Sequence, residues 1–215
     1  MPPSPTPASL LAFIHIEKTA GETMKWILRS SFGLSHCDIS PGMVFQPLSA
    51  PKLAYIRRFY PNLRSIAGHP VTPYNGLEQT FARIDYFTFL RDPRKQVASY
   101  FQYMCLTLKK RQPDDFESWI QSDWPRNMQT RRICAQPDAA RAAALIEEKN
   151  IFTGLTERFD ESLLLLQTLR APDLRLGYTS RNEASRNDLA ARLLADQRSR
   201  ALIEDAVRED LKLYE

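Results

Sequence analysis

The sequence predicts an α/β fold in which helices flank a central, mainly parallel β-sheet. Four short runs rich in apolar, β-branched or aromatic residues have the length of buried strands: residues 12–16, 64–67, 85–90 and 151–155. Helical patterns lie between these runs, so crossover connections join successive strands in a parallel sheet. A chain of 215 residues with 43% hydrophobic side chains is also long enough to bury a full core. We therefore expect a sheet covered by helices on both faces.

The predicted helices share apolar residues spaced three or four apart. They cover residues 22–32, 94–110, 114–122, 138–149 and 159–169, with two more near the C-terminal end, the last running through 203–213. We find no internal repeat, and a Pro-rich start is the only segment with a disordered composition. The sequence thus predicts a disordered N-terminus over residues 1–9 and a single domain over residues 10–215.

The composition excludes several classes of protein. The net charge is +4, from 29 Lys and Arg against 25 Asp and Glu, and the excess is spread along the chain, which suits an anionic ligand but not a nucleic-acid surface. The three cysteines have no zinc-site spacing, so we expect buried free thiols and no metal. No apolar run is long enough for a membrane span, and the N-terminus does not resemble a signal peptide. These observations predict a cytoplasmic protein.

An anion-binding loop is predicted directly after the first strand. Residues 13–23 run from an apolar strand, through small residues, into an amphipathic helix. Small residues let successive backbone N–H groups point at an anion, the helix N-terminus adds positive potential, and Lys18 adds a full charge. The GxxxxGK[ST] spacing of phosphate-loop enzymes is absent, because Lys18 precedes Gly21. A nucleoside triphosphatase is therefore disfavoured.

A second candidate phosphate-binding motif follows the strand at residues 85–90. Arg91, Asp92 and Pro93 open a helix there, with Asp92 suited to the N-cap and Pro93 to the first turn. Arg91 then stands at the carboxyl end of a strand, and Ser99 lies about two turns into the helix. The guanidinium and the hydroxyl are able to grip one phosphate together.

These two motifs resemble those of the sulfotransferases that use 3'-phosphoadenosine 5'-phosphosulfate (PAPS). The run Lys18-Thr-Ala-Gly-x-Thr23 is similar to the family's 5'-phosphosulfate loop, and is closest to the carbohydrate, 2-O-sulfotransferase-like branch. Arg91-Asp92-Pro93, with Ser99 eight positions after the arginine, resembles its 3'-phosphate motif. The resemblance implies a P-loop nucleoside triphosphate hydrolase-like (sulfotransferase) fold. It also implies transfer of a sulfuryl group from PAPS to an acceptor hydroxyl, and a glycan is one acceptor that this branch suggests.

The resemblance further implies which residues bind the donor. They are the loop residues, the arginine and serine of the second motif, and an arginine of a later polar loop: Lys18, Thr19, Ala20, Gly21, Glu22, Thr23, Arg91, Ser99 and Arg181. Lys18 would also stabilise the bridging oxygen as charge builds on it. Two positions depart from the family. Glu22 places a carboxylate in the anion loop, so we expect it to turn toward solvent or a basic neighbour, and Gln96 stands where the family often has arginine.

A general base must take the proton of the acceptor hydroxyl, and no metal is needed for this chemistry. His69 follows a predicted strand and so faces the same cleft, and Gly-His there resembles the segment that holds the catalytic histidine of the 2-O-sulfotransferase branch. Glu17 and Glu22 are the reserve candidates. His15 is expected to be a buried residue of the first strand, and His36 an exposed residue of an irregular region.

Two other functions stay open at this point. A protein of the same fold that holds a nucleotide without turnover is kept open by the departures at Glu22 and Gln96. A nucleotide kinase would need a metal-binding partner for Thr23, and the strand at residues 85–90 offers only Asp92. The acceptor and the oligomeric state are not specified by the sequence.

Overall fold

The computed structural model describes residues 9–40, 46–178 and 188–215. Within these ranges a five-stranded sheet has the strand order β2-β3-β1-β4-β5, and every neighbouring pair is parallel. The strands are β1 (Ser9–Ile14), β2 (His36–Asp38), β3 (Ser65–Gly68), β4 (Arg83–Leu90) and β5 (Phe152–Leu155). The parallel sheet confirms the α/β prediction.

Helices flank this sheet. They are α1 (Gly21–Phe32), α2 (Ala50–Phe59), α3 (Pro93–Leu106), α4 (Phe116–Ile120), α5 (Met128–Cys134), α6 (Ala139–Glu148), α7 (Phe159–Leu169), α8 (Asp188–Ala195), α9 (Gln197–Ala206) and α10 (Arg208–Tyr214). In the part of the chain that the structure describes, none of the helices has the length and apolar character needed to cross a membrane.

The side chains of each strand alternate between two hydrophobic clusters, one on each face of the sheet. Phe13 of β1 belongs to the cluster that includes Met24 of α1 and Leu163 of α7. Ile14, the next residue of β1, belongs to the cluster that includes Leu53 of α2 and Leu145 of α6. Helices therefore cover both faces, as the sequence predicts, and a third cluster joins α3, α4, α8 and α9 beside the sheet.

The connections of the sheet change direction between β1 and β4. The chain leaves β1 through α1 and reaches β2 on one side, whereas it leaves β4 through α3 and reaches β5 on the other. In open parallel sheets, ligands bind beyond the carboxyl ends of the strands at such a change of direction. The crevice beyond the ends of β1 and β4 is therefore the place to look for a site.

Three expectations about individual residues need correction. His36 is not exposed: it is a buried residue of β2, and its Nδ1 atom lies 3.1 Å from Ser65 Oγ. The polar sequence of this short strand hides it from pattern analysis. Ser9, placed by the sequence in the disordered start, is the first residue of β1. All three cysteines are free, as expected, but only Cys134 is buried.

Helices α2 and α5 were not predicted. Pro51 occupies the first turn of α2 and the Ser49 hydroxyl accepts a backbone N–H at the N-cap, so proline starts this helix instead of breaking it. The pattern at 203–213, interpreted as one helix, is divided near Val207 into α9 and α10.

Candidate functional site

Three separate segments of the chain meet at the carboxyl edge of the sheet. The loop of residues 15–20 follows β1, His69 follows β3, and Arg91 follows β4. Because β1 pairs with both β3 and β4 in parallel, the ends of these strands are neighbours. The structure thus brings together the predicted anion loop, the second phosphate motif and the predicted base.

The loop after β1 has the backbone of an anion-binding site. Lys18 and Ala20 have backbone φ values of 63° and 62°, a left-handed conformation that residues other than glycine rarely adopt. Each such residue costs about 1–2 kcal/mol, and left-handed residues alternating with ordinary ones create a concave row of N–H groups that suits an anion. Helix α1 begins at Gly21, and its N-cap, Ala20, makes no side-chain hydrogen bond to the first turn.

Gly21 allows this loop to pack closely against His15. A Cβ atom on Gly21 would lie 1.8 Å from His15 Nε2, so a larger residue would displace the imidazole. His15 is buried as expected, but it lies just beyond the last residue of β1, and its ring stacks on His69 with the centroids 4.1 Å apart. Burial, and next the neighbouring His69, lower the pKa of His15 well below its ordinary value. His15 is therefore a neutral packing residue between Gly21 and His69.

Lys18 and Arg91 form a pair of half-buried cations. One guanidinium nitrogen of Arg91 donates to the Lys18 carbonyl oxygen at 3.0 Å, which joins the second motif to the loop. Burial, and next the charge of Arg91, lower the pKa of Lys18, and burial also lowers the pKa of Arg91. Two cations that are partly removed from water and repel each other gain stability when an anion binds between them.

Nearby carboxylates do not compensate these charges directly. Asp92 accepts hydrogen bonds from the backbone and the guanidinium of Arg94, at 3.0 Å and 3.1 Å, and is the N-cap of α3 as predicted. Glu157 accepts the backbone N–H of Asp92 at 2.9 Å and the hydroxyl of Tyr214 at 3.1 Å. The charges of Asp92 and Glu157 raise the pKa of Arg91 without a direct hydrogen bond to its guanidinium. Across the described ranges, neither Lys18 nor Arg91 forms an ion pair with a carboxylate.

One face of α3 lies against the loop. Lys18 Nζ is 4.6 Å from the centroid of the Tyr103 ring, a cation–π contact. Gln96 is fully buried, and its side-chain amide donates to the Glu17 carbonyl oxygen at 2.8 Å. Ser99 lies three residues after Gln96 and four before Tyr103, which places it on the same helix face. Gln96 thus supports the loop backbone, whereas Ser99 lies on the face that carries the Lys18 contact.

The other predicted binding residues differ in their surroundings. Thr19 is buried and its hydroxyl donates to a carbonyl oxygen within the loop, at 3.0 Å, so it shapes the loop. Thr23 is buried in the first turn of α1. Glu22 is exposed and accepts a hydrogen bond from Lys25 at 2.9 Å, as expected, although its charge also acts on Lys18 and raises the pKa of that residue. Arg181 lies outside the described residues.

His69 is held in a defined ring tautomer. Its Nδ1 lies 2.8 Å from the His15 carbonyl oxygen, and because a carbonyl only accepts, Nδ1 carries the proton of this bond. In the neutral ring the lone pair is then on Nε2, which is the state a general base requires. Nδ1 also lies 3.5 Å from Glu17 Oε1.

Arg132 completes this cluster, and sequence analysis missed it. Its guanidinium donates to Glu17 Oε1 at 2.5 Å and to the His69 carbonyl oxygen at 2.8 Å. Arg132 comes from α5, more than 60 residues along the chain from His69, so no local motif marks the contact. The Glu17 carboxylate is therefore paired, which makes it a poorer candidate for the base than the sequence suggests.

The backbone of Arg91 is held in place by Gln129 of α5. The side-chain amide of Gln129 accepts the Arg91 N–H at 3.1 Å and donates to the Arg91 carbonyl oxygen at 2.9 Å. Asp210 of α10 in turn accepts the backbone N–H groups of Gln129 and Thr130, at 3.0 Å and 2.8 Å. The segment 127–131 thus supports the end of β4.

The burial of the Asp210 carboxyl predicts an unusual pH dependence of the free energy of unfolding. Burial raises the pKa of Asp210 to about 6, above its ordinary 3.8, so the folded state binds this proton more tightly than the unfolded state. The stabilising contribution is complete below the unfolded pKa and is lost as the pH rises through about 6. Between pH 4 and pH 7, the unfolding free energy of the parent should fall by about 2 kcal/mol relative to Asp210→Asn. Urea unfolding of both proteins measures this difference, and parallel pH curves would refute it.

Comparisons with known proteins add no assignment. No protein-family model matches the chain. No curated protein matches it either. The resemblance to the sulfotransferases therefore stays a prediction that depends on two motifs, and the geometry around Lys18, Arg91 and His69 is the basis for a functional proposal.

Proposed function

We propose that this chain is a PAPS-dependent sulfotransferase with a P-loop-like fold. The observation that carries the proposal is the pair of adjacent, half-buried cations, Lys18 and Arg91, at the ends of β1 and β4, where the connections of the sheet change direction. Lys18 belongs to the strained anion loop, and the neutral ring of the nearby His69 has its lone pair on Nε2; together these features support an enzyme more than a simple phosphate site.

The donor would bind along the crevice beyond β1 and β4. The backbone of residues 18–23 and the ammonium of Lys18 would hold the 5'-phosphosulfate, since both favour a compact anion. Arg91 keeps guanidinium N–H groups beyond the one that bonds Lys18, and with Ser99 it would hold the 3'-phosphate. Gln96 would contribute indirectly, through its bond to the loop carbonyl of Glu17.

The protein would contribute to the transfer in three ways: charge stabilisation, proton removal and alignment. The acceptor oxygen forms a bond to sulfur while the bond between sulfur and the bridging oxygen breaks, and 3'-phosphoadenosine 5'-phosphate leaves with that oxygen. Lys18 would stabilise the negative charge that develops there. His69 Nε2 would take the proton of the acceptor hydroxyl, and the His15 carbonyl would hold the other side of the ring. Alignment in the crevice would supply the rest of the rate enhancement.

A pair of aromatic side chains near Glu17 suggests where the acceptor lies. Trp124 is 44% exposed, and its indole N–H donates to the Tyr100 hydroxyl at 3.4 Å. Tyr100 is close enough to Glu17 for that carboxylate to influence its ionisation. Aromatic rings with polar tips suit the apolar faces and hydroxyls of a sugar, so a glycan hydroxyl is the acceptor class we favour.

The test is transfer of labelled sulfate from PAPS to a panel of glycans, lipids, phenols and small alcohols. We expect release of 3'-phosphoadenosine 5'-phosphate in proportion to labelled product with at least one glycan. Tight binding of that nucleotide without turnover on any acceptor would instead favour the second function left open by the sequence, a nucleotide-binding module without catalysis.

A further inference from the structure

We propose that Glu17 and Arg132 are positioning residues that act in opposite directions on how readily His69 takes up a proton. This inference rests on the proposed function insofar as His69 is the base. The protonation of its ring is nevertheless measurable in the absence of any substrate, so the two proposals are tested separately.

One carboxylate oxygen of Glu17 lies close to both Arg132 and His69. Its Oε1 accepts from Arg132 at 2.5 Å and lies 3.5 Å from His69 Nδ1. The carboxylate is only 12% exposed, so water screens it weakly. A carboxylate at this distance favours the imidazolium that forms when Nε2 accepts a proton, because the positive charge spreads to Nδ1–H.

Arg132 has the opposite effect. Its guanidinium neutralises Glu17 and also donates to the His69 carbonyl oxygen at 2.8 Å, so it places a permanent positive charge beside the ring. The cation disfavours a second positive charge on the imidazole. The bond to the His69 carbonyl oxygen also fixes the position of the backbone that carries His69. Arg132 therefore orients the base and opposes the effect of the Glu17 carboxylate on its ring.

Other titratable groups around this cluster are accounted for by the described contacts. They are His15, stacked on the His69 ring, Lys25, which acts on His15, and Tyr74 and Tyr100, which lie near Arg132. Burial keeps His15 neutral, and burial also raises the pKa values of both tyrosines. At neutral pH, Glu17 and Arg132 are thus the charged groups in direct contact with the His69 residue.

Histidine NMR of the full chain tests the inference. Proton–nitrogen spectra report the tautomer and the titration midpoint of each ring, and His69→Gln identifies the His69 signals. We expect the Nδ1–H tautomer in the parent. Glu17→Gln should lower the His69 midpoint by about half to one pH unit, and Arg132→Gln should raise it by a similar amount.

Matched variants separate a direct effect from loss of structure. Arg131 is the neighbour of Arg132 on α5, but its guanidinium donates to the Asp123 carbonyl oxygen, so Arg131→Gln should leave the midpoint unchanged. Arg132→Lys keeps the positive charge, so it should shift the His69 midpoint less than Arg132→Gln does. Equal midpoints in the parent, Glu17→Gln and both Arg132 variants would overturn the inference. Midpoint shifts of opposite sign without sulfate transfer would support it and count against the proposed enzyme alone.

Discussion

His69→Ala should bind 3'-phosphoadenosine 5'-phosphate about as well as the parent but transfer sulfate roughly a hundredfold more slowly or worse. The expected loss is the usual scale for removing a general base. Nucleotide affinity should survive because His69 follows β3, whereas the two cations that would bind the phosphates follow β1 and β4. Calorimetric titration of the nucleotide and initial rates with a responsive acceptor measure the two effects.

Two controls make this result specific to proton transfer. His69→Gln keeps a donor for the His15 carbonyl but cannot act as the base, so it should lose turnover as His69→Ala does. Added imidazole should partly restore the rate of His69→Ala by filling the space of the missing ring. Near-parental turnover in His69→Ala would contradict the assignment and direct attention to Glu17 and Glu22.

Lys18→Ala and Arg91→Ala should each weaken nucleotide binding by about tenfold to a hundredfold. Loss of one charge-assisted contact costs about 1.5–3 kcal/mol, which corresponds to that range of affinity. Neither substitution should unfold the protein, because the strand end at Arg91 is held through its backbone by Gln129 and α3 is capped by Asp92.

Arg94 provides a matched control for charge. It lies three residues after Arg91, but its guanidinium bonds Asp92 and lies 3.8 Å from Glu204, away from the loop. Arg94→Ala removes the same formal charge and should change nucleotide affinity by less than about twofold. Unchanged affinity in both Lys18→Ala and Arg91→Ala would exclude the crevice between β1 and β4 as the nucleotide site.

Local patterns predicted the parts of the site that come directly after strands. The apolar strand before Lys18 and the strand before Arg91 are each followed by a helix with clear start signals, so the sequence predicts both motifs and their common edge. The Pro93 and Asp92 start of α3 is confirmed in detail. The predicted order of strands along the chain also holds, apart from the polar strand β2.

The supporting contacts could not be predicted in the same way. Arg132 reaches Glu17 across 115 positions of sequence, and Asp210 reaches Gln129 across 81. Such pairs depend on how α5 and α10 pack behind the sheet, and α5 itself is short with no strong periodic pattern. Gln96 is a further example. It stands where the family that the motifs resemble often has arginine, which suggested a lost phosphate contact, but its amide supports the loop by donating to the Glu17 carbonyl oxygen.

The crevice beyond β1 and β4 should bind a nucleotide carrying phosphates at both the 3' and 5' positions. Calorimetric titration of the full chain with 3'-phosphoadenosine 5'-phosphate and with AMP tests it most directly, because the two ligands differ only in the 3'-phosphate that Arg91 and Ser99 would hold. We predict affinity at least about tenfold higher for 3'-phosphoadenosine 5'-phosphate, with the advantage lost in Arg91→Ala. Equal affinity for the two nucleotides, or no binding of either, would contradict the account.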